Sequence, residues 1–323
     1  MDHKQKIISM LDVLAKKEVA NKEPFKAKAY MNVIKNIIAL GNPIREYDDL
    51  KDVKGIGEKI SNKLKEYFET GKIQAVENVG VDGKVMKFNE IQELMKIHGI
   101  GPAKAKTLVE EHNILSIQQL SENTHLLNDK QKMGLKYFAD FEQRIPRKEM
   151  NAHKEYLEKV ITSIDSKFTF EITGSYRRGL PSSGDIDVLI THKDDPENVE
   201  ELFREVVGKL KDAKYITDVF AEGGKKCLAV CKLPRRKKYR RIDLLYTNKK
   251  EYPFALLYFT GDASFNVAMR NHCLSMGYSL SEHGLKDEAT GQFIDTLATT
   301  EEDIFKFVGF PYVEPTKRST KTS

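Results

Sequence analysis

Gly174-Ser175-Tyr176-Arg177-Arg178-Gly179, followed after four residues by Gly184-Asp185-Ile186-Asp187-Val188-Leu189-Ile190, is the stretch that most limits what this chain can fold into. Side chains along a strand alternate between faces, so Asp185 and Asp187 aim one way while Ile186, Val188 and Ile190 aim the other. Two carboxylates side by side at a strand start repel and raise each other's pKa, which makes chemical sense chiefly if a cation sits between them. Hard oxygen ligands suit Mg²⁺, which also takes substrate phosphates to complete its octahedron. The Gly174-Ser175 turn supplies the other half. Glycine lets backbone N–H groups approach a phosphate closely, and Ser175 and Arg178 add a hydroxyl donor and a fixed charge. Alone, Asp-x-Asp reads as a polar strand face and Gly-Ser as a loop; the combined run leaves little room for that reading.

A chain of 323 residues exceeds one typical domain, so two or more compact units are expected. With 40% hydrophobic and 31% charged residues, it reads as soluble and globular. No apolar run is long enough to span a membrane, and Met1-Asp2-His3-Lys4 opens no signal peptide, so an intracellular protein is expected. Cys227, Cys231 and Cys273 read as reduced core thiols, the alternative being a zinc site. The net charge of +5 permits a polyanionic partner without requiring one. Local placement must therefore carry any nucleic-acid argument.

Residues 4–40 carry apolar side chains at helical spacing, broken by a turn at residues 21–26 whose Pro24 can open the second helix. Gly55-Ile56-Gly57, between two expected short amphipathic helices, has the look of a helix-hairpin-helix, which offers backbone N–H groups to a DNA phosphate. One such turn is weak evidence. Its return at Gly99-Ile100-Gly101 makes paired, sequence-independent DNA-backbone binding through Gly55, Gly57, Gly99 and Gly101 the expectation. Residues 86–150 read as further helices, with Pro146 as a hinge.

From residue 151 the pattern changes. A helix over Ala152–Ile164 precedes strand-like runs at Phe168–Ile172, at the Asp185 strand, at Lys225–Leu233 and at Arg240–Tyr246, with a helix over Val199–Leu210 between them. A mixed sheet covered by helices follows. Asp243, expected to begin its strand, joins Asp185 and Asp187 as a third acid. Three acids on adjacent strands predict a two-metal site for in-line phosphoryl transfer. Asp185 and Asp187 would bridge both ions, and Asp243 would bind the ion at the attacking hydroxyl. The basic run 235–241 is read as a contact for primer-strand phosphates, with Arg241 best placed; the alternative is a solvated loop.

The motif Gly174 to Asp187, with both hairpins, the approach to the hinge at 132–147 and the stretch Leu256-Leu257-Tyr258-Phe259-Thr260-Gly261-Asp262, resembles family X DNA polymerases of the beta and lambda type along nearly the whole chain. The resemblance implies a multidomain α+β fold: a helical lyase domain (1–85), a duplex-binding helical subdomain (86–147), a catalytic palm (148–250) and a nascent-base-pair-binding subdomain (251–323). It implies a monomer that fills short gaps in base excision repair, acting on gapped or nicked double-stranded DNA with deoxynucleoside triphosphates. The cofactors are two Mg²⁺ ions, replaceable by Mn²⁺. Na⁺ or K⁺ is implied on the carbonyls of Lys51, Val53 and Ile56 at one hairpin and of Met95, Ile97 and Ile100 at the other.

By the same resemblance, Arg144 reaches the incoming triphosphate, alongside Gly174, Ser175, Arg178 and Gly184. Tyr258, Phe259 and Gly261 press on the sugar, Asn266 meets the base edge and Arg270 lies against the template. Lys63 is the Schiff-base lysine of a 5′-deoxyribose-phosphate lyase, with Lys26, Lys59 and Lys72 on the phosphate and Phe25 stacking on a template base. Its chemistry is that of an amine that loses its proton more easily among other cations. Ala75 replaces one lysine of the pattern. Leu245 stands where some members have an arginine, so a switch in which that arginine sequesters an active-site aspartate should be absent. The nucleus is the expected location, or a cytoplasmic factory or virion if the source is viral. Rival readings are a template-independent nucleotidyltransferase and a non-catalytic DNA-binding scaffold.

Overall fold

The computed structural model describes residues 2–21, 23–81 and 83–318. The chain divides into two compact units, Met1–Leu135 and Lys136–Ser323. In the first unit, α1 (Lys4–Ala20) and α2 (Pro24–Ala39) pack together, with Pro24 in the first turn of α2 where its missing N–H costs nothing. Ile7, Leu11, Leu14, Val33 and Ile37 are buried between them and join Leu64 of α3 (Glu58–Thr70) in one core. The unit continues with α4 (Gln74–Val81), α5 (Gly83–Met95), α6 (Pro102–Glu110), α7 (Ile117–Glu122) and α8 (Asp129–Lys136).

Both glycine turns adopt nearly the same backbone. Gly55 and Gly99 take positive φ values of 91° and 89°, a region side chains disfavour. Gly57 and Gly101 cap α3 and α6 in extended conformation. The flanks differ from expectation at the first turn. The element before it is a 3₁₀ turn, Tyr47–Leu50, because four residues with adjacent aspartates are too short to nucleate an α-helix.

The second unit contains α9 (Phe138–Phe141) and then a two-residue β1 (Ile145–Pro146) that pairs with β3 (Ser182–Ser183). Between them lie α10 (Arg147–Ile164), β2 (Phe168–Ile172) and α11 (Gly174–Arg177). Next come β4 (Ile186–His192), α12 (Val199–Asp212), β5 (Ile216–Glu222), β6 (Lys226–Cys231) and β7 (Arg240–Tyr246). The sheet order is β2-β4-β7-β6-β5, with β4 and β7 parallel and the other pairs antiparallel. Ile186, Val188, Ile190, Ile242 and Leu244 share a core with Leu157 and Ile161 of α10 and Phe203, Val206 and Leu210 of α12. Strand alternation therefore turns Asp187 and Asp243 to the opposite face.

The chain then forms α13 (Tyr252–Thr260), α14 (Ala263–Ser275), the hairpin β8 (Tyr278–Ser281) with β9 (Gly284–Asp287), and α15 (Glu301–Phe307). The Asp262 side chain caps α14 by accepting from Phe265 N at 2.8 Å. Phe254, Leu257, Met269, Cys273, Ile304 and Phe305 make a separate core here.

The helix expected from Ala152 begins at Arg147, Lys226–Cys231 is shorter than the expected strand, and β5 adds a strand that periodicity did not predict. Arg318, the last of the described residues, has a fully buried side chain; residues 319–323 lie outside the described residues. Cys227, Cys231 and Cys273 are buried free thiols. Among the described residues no helix is long and apolar enough to cross a membrane.

Candidate active site

Asp187 and Asp243 are direct partners in the parallel β4–β7 register. Asp243 is the fourth residue of β7 rather than its first, and Asp185 immediately precedes β4, so the three acids come from two neighbouring strands. Burial pushes the Asp187 carboxyl up to about 7, with the charges of Asp185 and Asp243 adding to the effect. Asp243 is raised as well, by burial first, with Arg241 opposing the rise and Asp185 adding to it. A group of acids held this way is short of positive charge.

Arg241 supplies part of that charge. Its Nη2 donates to Asp185 Oδ2 in a close ion pair, and its Nε is buried with no hydrogen-bond partner. With Asp185 engaged there, the described residues contain no group of three His, Cys, Asp or Glu side chains arranged as metal ligands. The ready-made carboxylate cluster expected above is therefore not the arrangement found. The donor set still fits hard divalent cations: three carboxylates on adjoining backbone, two of them with charge suppressed by burial.

The turn beside the acids is one turn of helix, α11, rather than an open loop. Thr173 N donates to Asp187 O at 2.8 Å, fixing the turn against β4. Gly174 has φ 56°, and a Cβ there would lie 2.9 Å from Asp187 Oδ2, so any side chain would push the carboxylate aside. Arg178 Nη1 donates to Thr260 O at 2.9 Å while its buried Nε has no partner. Burial lowers the Arg178 pKa, with Asp262 and Asp187 opposing. Arg144 lies along the entry to Asp185: Nε donates to Ser182 Oγ at 3.1 Å, Nη2 to Ser182 O at 2.5 Å, and a Cβ on Gly184 would lie 3.7 Å from Nη1. Ser175 is half-buried on the same turn.

Tyr258 and Phe259 meet edge to face at 5.2 Å. Asn266 Nδ2 donates to Tyr258 O at 2.8 Å, so the amide expected to read a base is tied to the aromatic step. A Cβ on Gly261 would strike Phe265 Cδ1 at 2.5 Å and Asn266 Oδ1 at 2.6 Å. Tyr258, Asn266 and Arg270 line one small cleft.

Periodicity could not reveal the buried charges that brace this site. Arg177 bonds Thr260 Oγ1 at 2.8 Å and Glu301 Oε2 at 2.6 Å, and Arg318 Nη1 takes Glu301 Oε1 at 2.6 Å. Arg318 also lies over the rings of Phe265 and Phe305. The turn beside the acids is thus tied to α13, α15 and the end of the described chain. Arg240, expected in a phosphate-binding loop, is instead a buried strand residue paired with Glu149 at 2.7 Å. His153, 3.9 Å away, and then that pair hold the Glu149 carboxyl down at about 2.

In the first unit, Lys59 and Lys63 stand one turn apart on α3, with Lys63 Nζ 3.4 Å from Lys59 O. Lys72 is exposed just past the helix end, and Lys26, on α2, pairs with Glu23 at 3.3 Å. Phe25 is 87% exposed. The carbonyls of Lys51, Val53 and Ile56 and of Met95, Ile97 and Ile100 belong to the two glycine turns; Val53 O and Ile97 O accept from Ile56 N and Ile100 N. Gln131 and Gly134 brace the second turn. Gln131 Nε2 donates to Gly99 O at 3.1 Å, and a Cβ on Gly134 would fall 2.0 Å from His98 O.

Residues 144–249 match the family described as DNA polymerase beta palm and residues 255–319 its thumb. Residues 92–142 match the fingers domain of DNA polymerase lambda, 2–73 a helix-hairpin-helix domain and 47–113 a SAM-like helix-hairpin-helix tandem. The chain is 30% identical to DNA polymerase lambda of Rattus norvegicus over 97% of its own length and 56% of that protein's. It is 29% identical to DNA polymerase lambda of Arabidopsis thaliana over 90% of its length and 57% of the relative's. DNA nucleotidylexotransferase of Xenopus laevis is 25% identical over 90% of the chain and 63% of the relative. The chain thus spans little more than half the length of the polymerase relatives it matches.

Proposed function

Because this chain belongs to the family X DNA polymerases, we propose that it is a template-directed DNA polymerase filling short gaps in base excision repair. The observation that carries this reading is the pairing of Asp187 with Asp243 across parallel strands, Asp185 two residues before Asp187, beside a glycine turn where a side chain would displace the Asp187 carboxylate. Asp185, Asp187 and Asp243 would hold two divalent cations, Mg²⁺ or Mn²⁺, which would supply charge stabilisation at the phosphate oxygens and a lowered pKa at the primer hydroxyl. Gly174, Ser175, Arg178, Gly184 and Arg144 receive the triphosphate through backbone N–H groups, a hydroxyl and two guanidiniums. Asp243 takes the proton of the primer 3′-OH. A bond from that oxygen to the α-phosphorus replaces the bond to the β-phosphate oxygen, and pyrophosphate leaves. Tyr258, Phe259 and Gly261 select the sugar, Asn266 meets the base edge after releasing Tyr258 O, and Arg270 and Arg241 contact the two DNA strands.

Gly55, Gly57, Gly99 and Gly101 hold the duplex backbone, with a monovalent cation on the neighbouring carbonyls. A second activity, 5′-deoxyribose-phosphate lyase, belongs to Lys63, with Lys26, Lys59 and Lys72 on the phosphate and Phe25 on the template. Extension of a gapped primer with and without template tests the polymerase. Asp243→Ala should lower template-directed extension by about a hundredfold to a thousandfold, the order expected for loss of a principal electrostatic group, while DNA binding changes less than about twofold. Equal addition without template, or undiminished extension by Asp243→Ala, refutes the assignment.

A further inference from the structure

An open groove of about 520 Å³ lies at the far edge of the sheet, between the end of α12, the start of β5 and the loop that follows β6. Lys211, Lys214, Lys232 and Arg235 line it, and none of its lining residues is acidic. Lys211 is paired with Glu222 at 2.5 Å, and Lys232 rests 4.7 Å from the Tyr239 ring centre. Lys214 and Arg235 are exposed and sit on left-handed backbone, φ 55° and 62°. Residues with side chains seldom adopt that conformation unless the surrounding fold imposes it. The floor is apolar, from buried Ile216 and Leu233.

The strand registers fix where this groove opens. Ile216 pairs with Cys231, Cys231 with Arg240, and Ile186 with Ile242. The groove is therefore at the same end of the sheet as Asp185 and Arg241, two strands across from β7. At strand spacing of about 4.8 Å this is a lateral step of roughly 10 Å. Phosphates on one strand of a duplex advance about 3.4 Å along the axis, so for a duplex lying across the strands the step corresponds to about three of them.

We propose that this groove is a phosphodiester-backbone site, which takes the duplex DNA already synthesised about three or more nucleotides behind the reacting end. The inference rests on the polymerase reading for its orientation, although its chemistry requires only a regularly spaced polyanion. Lys214, Lys232 and Arg235, together with Lys211 on its pair with Glu222, attract phosphate oxygens. The apolar floor contributes no base readout, so binding is independent of sequence.

The test titrates the full chain against primer–template duplexes whose paired arm is about 3, 8 or 12 base pairs, across a range of salt. It compares wild type, Lys214→Gln/Arg235→Gln and the charge-preserving Lys214→Arg/Arg235→Lys. On the longer arms the Gln double variant should bind roughly 3- to 10-fold more weakly, and its log–log salt slope should be shallower by about 1.8, near 0.9 per lost phosphate contact. On the shortest arm the variants should match wild type, and the charge-preserving pair should behave as wild type throughout. Identical salt slopes at every arm length would overturn the proposal. So would a Gln variant altered only in inhibition by pyrophosphate, which would make the groove a site for free phosphates. Failure to extend any template, with the arm-length effect intact, would retain the groove and reject the polymerase reading.

Discussion

The carboxylate group of the second unit and the lysine group of the first solve the problem of a charged centre in opposite ways. Asp187 and Asp243 are half-buried with their charge suppressed, Thr173 and Gly174 crowd against Asp187, and Arg241 holds Asp185 beside them. Lys59 is exposed and Lys63 half-buried on a helix whose Ile60, Leu64 and Tyr67 do the packing, and Lys72 is exposed just past its end. The first arrangement stores electrostatic free energy that a cation can release; the second stores little and leaves its amines open to a bulky reactant. Substitutions should therefore act on stability at the acids and on chemistry alone at the lysines.

Removing part of the bracing around the acids should have the largest effect on stability. Glu301→Ala leaves Arg177 and fully buried Arg318 without their carboxylate, and breaking a buried pair costs about 3 kcal/mol or more. Urea unfolding should show this loss, and a change within about 0.5 kcal/mol would mean that the network is decorative.

Asp187→Asn should move stability the other way. A carboxyl whose folded pKa, about 7, lies above its unfolded value favours the folded state fully in acid, and that contribution is lost as pH rises through about 7. Without divalent cations, the Asn variant should thus be more stable than wild type by about 2 kcal/mol at pH 8, from a shift worth about 1.4 kcal/mol per unit less what relaxation recovers. The difference should shrink toward pH 5. A variant less stable than wild type at pH 8 would show that the acids are not in electrostatic conflict.

Lys63→Ala should change stability least, by less than about 0.5 kcal/mol. The same variant should lose borohydride trapping on a 5′-deoxyribose-phosphate end. Undiminished trapping would assign the chemistry to another amine.

What could be read from the chain beforehand follows the same division. The Asp185–Asp187 alternation and the Arg240–Tyr246 run announced β4 and β7, because a strand with one apolar face repeats every second residue. In β5, register shifts between Ile216 and Asp218 and between Val219 and Ala221 break that repeat, so the strand does not look like one. The glycine turns were visible because few residues other than glycine take φ near 90°. The partners of Arg240 and Arg177 were not visible: Glu149 and Glu301 lie 91 and 124 residues away, and nothing local distinguishes a buried arginine from a solvated one. The expectation that Leu245 removes a sequestering arginine holds for that position alone, since Arg241, four residues earlier, engages Asp185 instead.

Arg318 gives a position remote in sequence from the acids an unexpected genetic weight. A missense codon at position 318 would strip Glu301 of one of its two guanidinium partners and loosen a turn encoded far upstream. Such a change should behave like a lesion beside the acids themselves.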